Sequence, residues 1–289
     1  MPSVSRFAEV PGRLRIVVAV DEIDAVSGQL WMLDTLGIEE RPTDDPNLVE
    51  LVAGFDLAEQ ADAAATHFDR FTVVEEIHNH EQLLAAWREH ASPMKAGNRI
   101  VVRPPWVGYD LQPCDLVLHI DPGPVFGSGS HETTRLALAE LEVSLEGNER
   151  VLDVGCGSGV LAIAAARLGA VDVVAVDIDP AAPDITMSNA RRNGVTEFIA
   201  ASDRPLSDVD GVFNVVVANI LAVVLIELGP ELVSRVAENG RLVLAGLLRR
   251  QIDDVVSAMS PLRTLHETSA PGHDGTGDPD SDWVCLVLG

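Results

Sequence analysis

The stretch VLDVGCGSGVLAI, beginning at Val151, constrains the fold more than any other part of the chain. An apolar, β-branched run ends in three alternating glycines, Gly155, Gly157 and Gly159, and passes directly into a helix-forming run. Glycine has no Cβ, so the backbone can approach a ligand closely there, and the first turn of the helix offers N–H groups without partners. From this point strands and helices alternate: RVLDVG, VLAIAAARLG, VDVVAVDID, a helix through NARRNG, then FNVVVANI. LAVVLIELGPELVSRVAE, GRLVLAGLL, a helix from Arg249 and a last strand WVCLVLG complete the series. Continuous apolar strands separated by helices predict a mostly parallel sheet covered on both faces. GHDGTGDPDSD, before Trp283, reads as an acidic loop inside a terminal hairpin.

The first part of the chain has a different rhythm. LRIVVAV (Leu14 to Val20) is a strand, and DAVSGQLWMLDTLG repeats its apolar residues at helical spacing up to Gly37. IEERPTDDPNLVELVAGF gives two strands around a Pro/Asp turn, LAEQADAAATHF a helix, and FTVVEEI (Phe71 to Ile77) a strand. The order βαββαβ is that of ferredoxin-like α+β domains. Residues 1–77 are therefore expected to form a smaller ferredoxin-like domain, 78–93 a linker helix built on NHEQLLAAWREHA, and 94–289 a larger α/β domain. GNRIVVRPPW and CDLVLHID lead into the larger one. The first domain shows no chemistry of its own, so its default role is binding or packing.

Composition narrows the classes. With 289 residues, 47% of them hydrophobic, the chain can bury a core in each of two domains. Its formal net charge of −25 disfavours nucleic acid as a partner and suits a basic protein, although acidity can also serve solubility alone. No apolar run spans a bilayer, and no membrane association is expected. Cys114, Cys156 and Cys285 are scattered and form no CxxC pair, which fits a reduced, cytoplasmic setting. His78 and His80 form an HxH without further ligands nearby, so no metal is assigned. Oligomeric state is unknown at this stage.

The glycine spacing discriminates between cofactors. A dinucleotide fingerprint GxGxxG would place its last glycine at position 160, where Val160 stands. Asp153-x-Gly155-x-Gly157-x-Gly159 instead resembles the loop of class I S-adenosylmethionine (AdoMet) methyltransferases. Asp177 ends the next strand, twenty-two positions beyond Gly155, and can accept both hydroxyls of a ribose. The same contact serves NAD, so Asp177 does not choose the cofactor alone. Asp179, two residues on, suits capping of the helix that starts near Pro180. ANIL (Ala218 to Leu221) ends the fourth strand of this sheet, where ligands gather. Asn219 there can offer its amide oxygen to an incoming amine and its amide nitrogen to the cofactor; the plain alternative is a turn residue. Ile220 and Leu221 follow, where enzymes acting on planar amino groups usually carry Pro-Pro-aromatic, so a planar acceptor has no platform.

An earlier glycine segment, the first in the chain, FGSGSHETT (126–134), lies between the strand LVLHID and the helix TTRLALAELEVSL. His131-Glu132 stands where a phosphate loop would need GK[ST]. AdoMet has an amino-acid end and an adenosine end, and one loop can approach only part of it. The helix start of this first segment can face the same site from the other side. Phe126 and Gly127, with Gly129, shape this segment, and Ser130, Thr133 and Thr134 supply hydroxyls. His131 is a candidate proton acceptor, with a loop hydrogen bond as its simpler role.

DPGPVFGSGSHETT, VLDVGCGSGVLAIAA, VVAVDIDP with NARRNGV, and VVVANIL together are similar, in order and spacing, to the PrmA family. These are the methyltransferases of the large-subunit ribosomal protein numbered eleven. The resemblance is close from Trp87 to Leu247 and in outline before it. It implies a class I methyltransferase fold, Rossmann-like with a seven-stranded mostly parallel sheet, preceded by the ferredoxin-like domain as substrate reader. It further implies AdoMet as cofactor and methyl transfer to lysine side-chain or N-terminal amines of a ribosomal protein. Carried over by position, the family's cofactor contacts fall on Thr134, Gly155, Asp177 and Asn219; Gly157, Phe126, Gly127 and Thr133 join them from the residue reading. The sequence departs from the family pattern at Pro124-Val125, Ser128, Ser130 and Glu132, and Pro183 enters the first turn of a helix, where proline is tolerated. Three rival readings stand beside this one. The acceptor is another protein lysine or a small amine, the sheet serves a nicotinamide-dependent oxidoreductase, or the domain binds AdoMet without catalysis.

Overall fold

The computed structural model describes residues 12–31, 33, 35, 37–55, 58–68, 72–76, 91–121, 131–271, 280 and 282–289. The chain divides between His90 and Ala91 into two compact units. The expected linker helix lies outside the described residues as far as position 90, and residues 91–93 are irregular.

The first unit comprises β1 (Gly12–Ala19), α1 (Ile23–Trp31), β2 (Gly37–Pro42), β3 (Leu48–Phe55), α2 (Ala58–Ala65) and β4 (Thr72–Glu76). Its strands pair antiparallel in the order β2-β3-β1-β4, the ferredoxin-like sheet. Period-2 alternation in LRIVVAV puts Leu14, Ile16 and Val18 on one face. They meet Leu51, Ala53 and Phe55 of β3, Leu30 of α1, and Ala61 and Ala64 of α2. Burying each large side chain contributes about 1.5–3 kcal/mol. The strand stops at Ala19 because Val20–Glu22 turn as a 3₁₀ segment, with Glu22 accepting the Ala19 N–H.

The second unit opens with a small sheet of β5 (Met94–Ala96), β6 (Ile100–Arg103) and β7 (Leu116–His119). The elements α3 (Glu132–Ser144), β8 (Arg150–Val154), α4 (Val160–Arg167), β9 (Asp172–Val176), α5 (Ala182–Asn193) and β10 (Ile199–Ser202) follow. Then come β11 (Phe213–Asn219), α6 (Ala222–Glu227), α7 (Gly229–Arg235), β12 (Val236–Leu248), α8 (Ile252–Ala258), β13 (Thr264–Ala270) and β14 (Trp283–Leu288). The large sheet has the order β10-β9-β8-β11-β12-β14-β13, parallel except at β14, which runs antiparallel to both neighbours. This is the class I methyltransferase arrangement, a Rossmann-like sheet ending in an antiparallel hairpin.

Each strand feeds two cores. Val151, Val215, Val217, Val243, Cys285 and Val287 face one layer, packed by Leu138 and Leu141 of α3 and Leu161 and Ile163 of α4. Their neighbours Leu152, Val216, Ala218, Leu242, Leu244 and Leu286 face the other, with Leu225 of α6, Leu232 of α7 and Val255 of α8. A continuous apolar run thus satisfies both faces of a covered sheet. LAVVLIELGPELVSRVAE, read as one helix, is broken. Gly229-Pro230 starts a second helix, a Cβ at Gly229 would lie 2.6 Å from the Ala258 carbonyl, and Val236 already belongs to β12.

Candidate active site

The strand order reverses between β8 and β11, and a crevice opens at the carboxyl ends of strands flanking such a point. Gly155 and Asn219 occupy those two ends, since Ala218 pairs with Val154 in the parallel register. Gly155, Gly157 and Gly159 all have positive φ, and the first two follow the strand as a tight loop. Two of them also have no room for a side chain. A Cβ at Gly155 would lie 2.3 Å from Ile220 Cγ2, and one at Gly159 2.7 Å from Thr186 Cγ2. Gly246 (φ +86) interrupts the β12–β14 register and yields to the Ile220 backbone in the same way. Ile220 of ANIL is therefore a wedge between two glycines, which fixes the direction of Asn219.

Asp177 projects from the end of β9 with both oxygens held. Its Oδ2 accepts the Gly157 N–H at 2.7 Å and its Oδ1 the Asp179 N–H at 3.0 Å. The second glycine loop and the next strand are thereby joined through one carboxylate. Asp179 accepts the Ala181 N–H at 2.8 Å, one residue before α5, so it shapes the turn into the helix, which starts at Ala182 rather than near Pro180. Pro183 sits in the first turn, where its missing N–H is not needed. Ile178, beside Asp177, is 92% exposed, an apolar side chain standing open at the crevice. Composition does not distinguish it from the buried valines before it.

Asp153 lies beneath the loop, fully buried. Its Oδ2 accepts the Ala162 N–H at 3.0 Å while Oδ1 has no hydrogen-bond partner. Burial pushes its carboxyl up to about 7, against the Ala162 N–H, and the charge of Asp177 adds to the rise. Burial also pushes the Cys156 thiol up, so it is no nucleophile.

The helix that follows the first glycine segment reaches the same crevice. Thr134 in the first turn of α3 is buried, and its Oγ1 accepts a hydrogen bond from Asn219 Nδ2 at 3.1 Å across 85 positions of sequence. With Nδ2 engaged, the acceptor Oδ1 of Asn219 is the end left for a donor. His131 caps α3: Nδ1 accepts the Thr133 N–H at 3.3 Å and lies 2.8 Å from Thr133 Oγ1, and Trp283 packs edge-on at 5.0 Å. His131 thus has the loop hydrogen-bonding role, and Thr133 is spent on the cap. Phe126, Gly127, Gly129 and Ser130 lie outside the described residues, as do His78 and His80. Among the described residues, no group of three or more His, Cys, Asp or Glu is placed to hold a metal ion, and no helix is long and apolar enough to cross a membrane.

Thr134, Gly155, Gly157, Asp177 and Asn219, drawn from four separate segments, thus meet at the carboxyl ends of β8, β9 and β11. The profile of one family, ribosomal protein L11 methyltransferase (PrmA), matches residues 42–288. The chain belongs to that family. A PrmA relative from Syntrophotalea carbinolica, named ribosomal protein L11 methyltransferase, is 49% identical over 207 residues, covering 69% of this chain and 64% of the relative. One of the same name from Citrifermentans bemidjiense is 43% identical over 206 residues, with the same coverage. The chain thus spans just under two thirds of the length of these curated PrmA relatives. The crystal structure of a ribosomal protein L11 methylase from Lactobacillus delbrueckii subsp. bulgaricus is 31% identical, covers 68% of this chain and 96% of its own, and superposes with a TM-score of 0.60.

Proposed function

We propose that this PrmA-family chain binds AdoMet in the crevice between β8 and β11 and transfers its methyl group to lysine side-chain or N-terminal amines of ribosomal protein L11. The observation that carries the reading is the Thr134–Asn219 hydrogen bond, because it brings the first glycine segment's helix to the strand end opposite Gly155. The residues fit the cofactor. A left-handed loop that excludes Cβ atoms admits close backbone approach, the fixed Asp177 carboxylate suits the two ribose hydroxyls, and exposed Ile178 offers an apolar face to an adenine. Gly155 and Gly157 line the loop, and Thr134 and Asn219 take the amino-acid end; Phe126 and Gly127 are proposed as further contacts from the sequence, and Thr133 contributes by holding the His131 cap. When bound, AdoMet supplies an electrophilic methyl group on a sulfonium centre.

The chain's own work is orientation. A free lysine, with a pKa near 10.4, must lose its proton before it can attack. Asn219 Oδ1 accepts an N–H of the neutral amine and thereby aims the nitrogen lone pair, an interaction that strengthens toward the transition state. His131 is occupied as the cap of α3, so the amine sheds its proton to water before it enters. Proximity to the bound cofactor supplies the rest.

The ferredoxin-like unit reads the protein substrate, and the net charge of −25 complements a basic ribosomal protein in the cytoplasm. Incubation of purified L11 with labelled AdoMet and the full chain tests the reading. Label on L11 amines is the expected result; an unlabelled L11 alongside label on another protein of a cell extract would transfer the activity to that acceptor.

A further inference from the structure

Helix α5 carries two buried asparagines one turn apart, Asn189 and Asn193, at 0% and 8% exposure. A side-chain amide presents an N–H and a C=O along one edge, as a peptide group does, so it can pair with both polar groups of one extended residue. Helix positions i and i+4 are about 6 Å apart along the axis, close to the ~6.6 Å between alternate strand residues. Successive asparagines on α5 therefore meet alternate residues of the run that leaves β7. Asn193 accepts the His119 N–H and donates to the His119 carbonyl, both at 2.9 Å. Asn189 accepts the Asp121 N–H at 3.0 Å and donates to the Asp121 carbonyl at 2.8 Å. The helix thus takes the place of a strand neighbour along the edge of β7 that β6 leaves open.

The two amides differ in where the second N–H goes. The second N–H of Asn193 goes to the Asn189 carbonyl within the helix, at 2.8 Å. That of Asn189 goes to the Ser158 carbonyl at 2.9 Å, inside the loop VGCGSG. Arg192 steadies the arrangement, donating to Asn189 Oδ1 at 2.8 Å and pairing with Asp121 at 3.5 Å. We infer that Asn189 is a positioning residue for cofactor binding. Its amide ties the second glycine loop, at Ser158, to Asp121, where the sequence DPGPVFGSGSHETT begins, while Asn193 only docks the strand. The inference rests on the AdoMet reading above.

Asn189→Asp and Asn193→Asp make a matched pair. Each keeps the acceptor toward a strand N–H and turns two donations into oxygen–oxygen contacts with carbonyls, so both should lower Tm, Asn189→Asp by less because its carboxylate keeps the Arg192 donation. Only Asn189→Asp should weaken AdoMet binding, by about tenfold, as the loss of a buried hydrogen bond would. Its single-turnover rate at saturating AdoMet should stay within about threefold of wild type, because the methyl-transfer geometry at Asn219 is untouched. Amide hydrogen exchange at residues 156–161 should speed up in Asn189→Asp alone. Asn189→Ala, which removes the donors without adding charge, gives the same comparison should the aspartate variant fail to fold. Equal affinities and equal exchange in the two aspartate variants would overturn the inference. Should wild type bind no AdoMet, the proposed function falls, and the exchange comparison alone decides the clamp.

Discussion

The two units of this chain bury polar groups in different ways. Among the described residues, the ferredoxin-like unit buries one, Thr35, whose hydroxyl donates to backbone carbonyls of Gly37 and Gly54 at its sheet edge. The second unit buries Thr133, Thr134, Asp153, Ser158, Thr186 and Asn189 around its glycine loop and the start of α3, with Asn193 against β7 and Glu140 further along α3. Burying a polar group is costly unless it is paired, and even paired groups stabilise less than an apolar side chain of the same shape. A cluster of them at one end of a sheet therefore reports a requirement other than stability. The first unit is held by an apolar core, whereas the second fixes the separation of its loops through buried polar pairs.

That contrast breaks most easily by division. Removing residues 1–76 should leave AdoMet binding intact and reduce methylation of L11 by at least about a hundredfold, the scale set by losing substrate positioning. Calorimetry and a methyl-transfer assay on the truncated chain check both halves; methylation at the full rate would strip the first unit of its recognition role. Asp177→Ala comes next. Losing the contacts of a charged group costs about 1.5–3 kcal/mol, so AdoMet affinity should fall roughly ten- to a hundredfold in a folded protein. Unchanged affinity by calorimetry would remove Asp177 from the site. Gly159→Ala sharpens the picture of a loop without room. A Cβ at φ +80, 2.7 Å from Thr186 Cγ2, should destabilise the unit by about 2 kcal/mol, read as a lowered Tm.

A pH-dependent test concerns Asp153. Its carboxyl titrates near 7 in the fold and near 3.9 in an unfolded chain, so the folded state binds the extra proton between those values. The stability this contributes is fully present below about pH 3.9 and is lost as pH rises through about 7. Asp153→Asn should flatten the pH dependence of Tm across that window. A slope unchanged in the variant would mean that some other group carries it.

How much of this was legible follows from where the signals lie. The βαβ alternation from Val151, the order βαββαβ before it and the glycine spacing are local patterns, and they gave the class of each unit. The break at Gly229 was not legible, because LAVVLIELGPELVSRV keeps helical composition on both sides and the reason for the break, close packing on Ala258, is tertiary. β10, IAAS, is too short and small to stand out, and β13, TLHETSA, is a largely exposed edge strand whose composition is polar. Within the site, Asp177 and Asn219 were readable from their places at strand ends. The wedge of Ile220, the exposure of Ile178 and the amides of Asn189 and Asn193 were not, since each depends on partners far along the chain or on a neighbour's absence. His131 carried the right chemistry for a proton acceptor, but its geometry is that of a helix cap.

The central claim is that the crevice of the second unit methylates an amine that Asn219 aims. Single-turnover methylation of L11 at saturating AdoMet, comparing wild type with Asn219→Ala, tests it most directly. The variant should keep AdoMet affinity within a few-fold and lose about two orders of magnitude in rate, the usual consequence of deleting one preorganised polar group. A near-normal rate in Asn219→Ala would contradict it and leave ANIL as no more than the end of a strand.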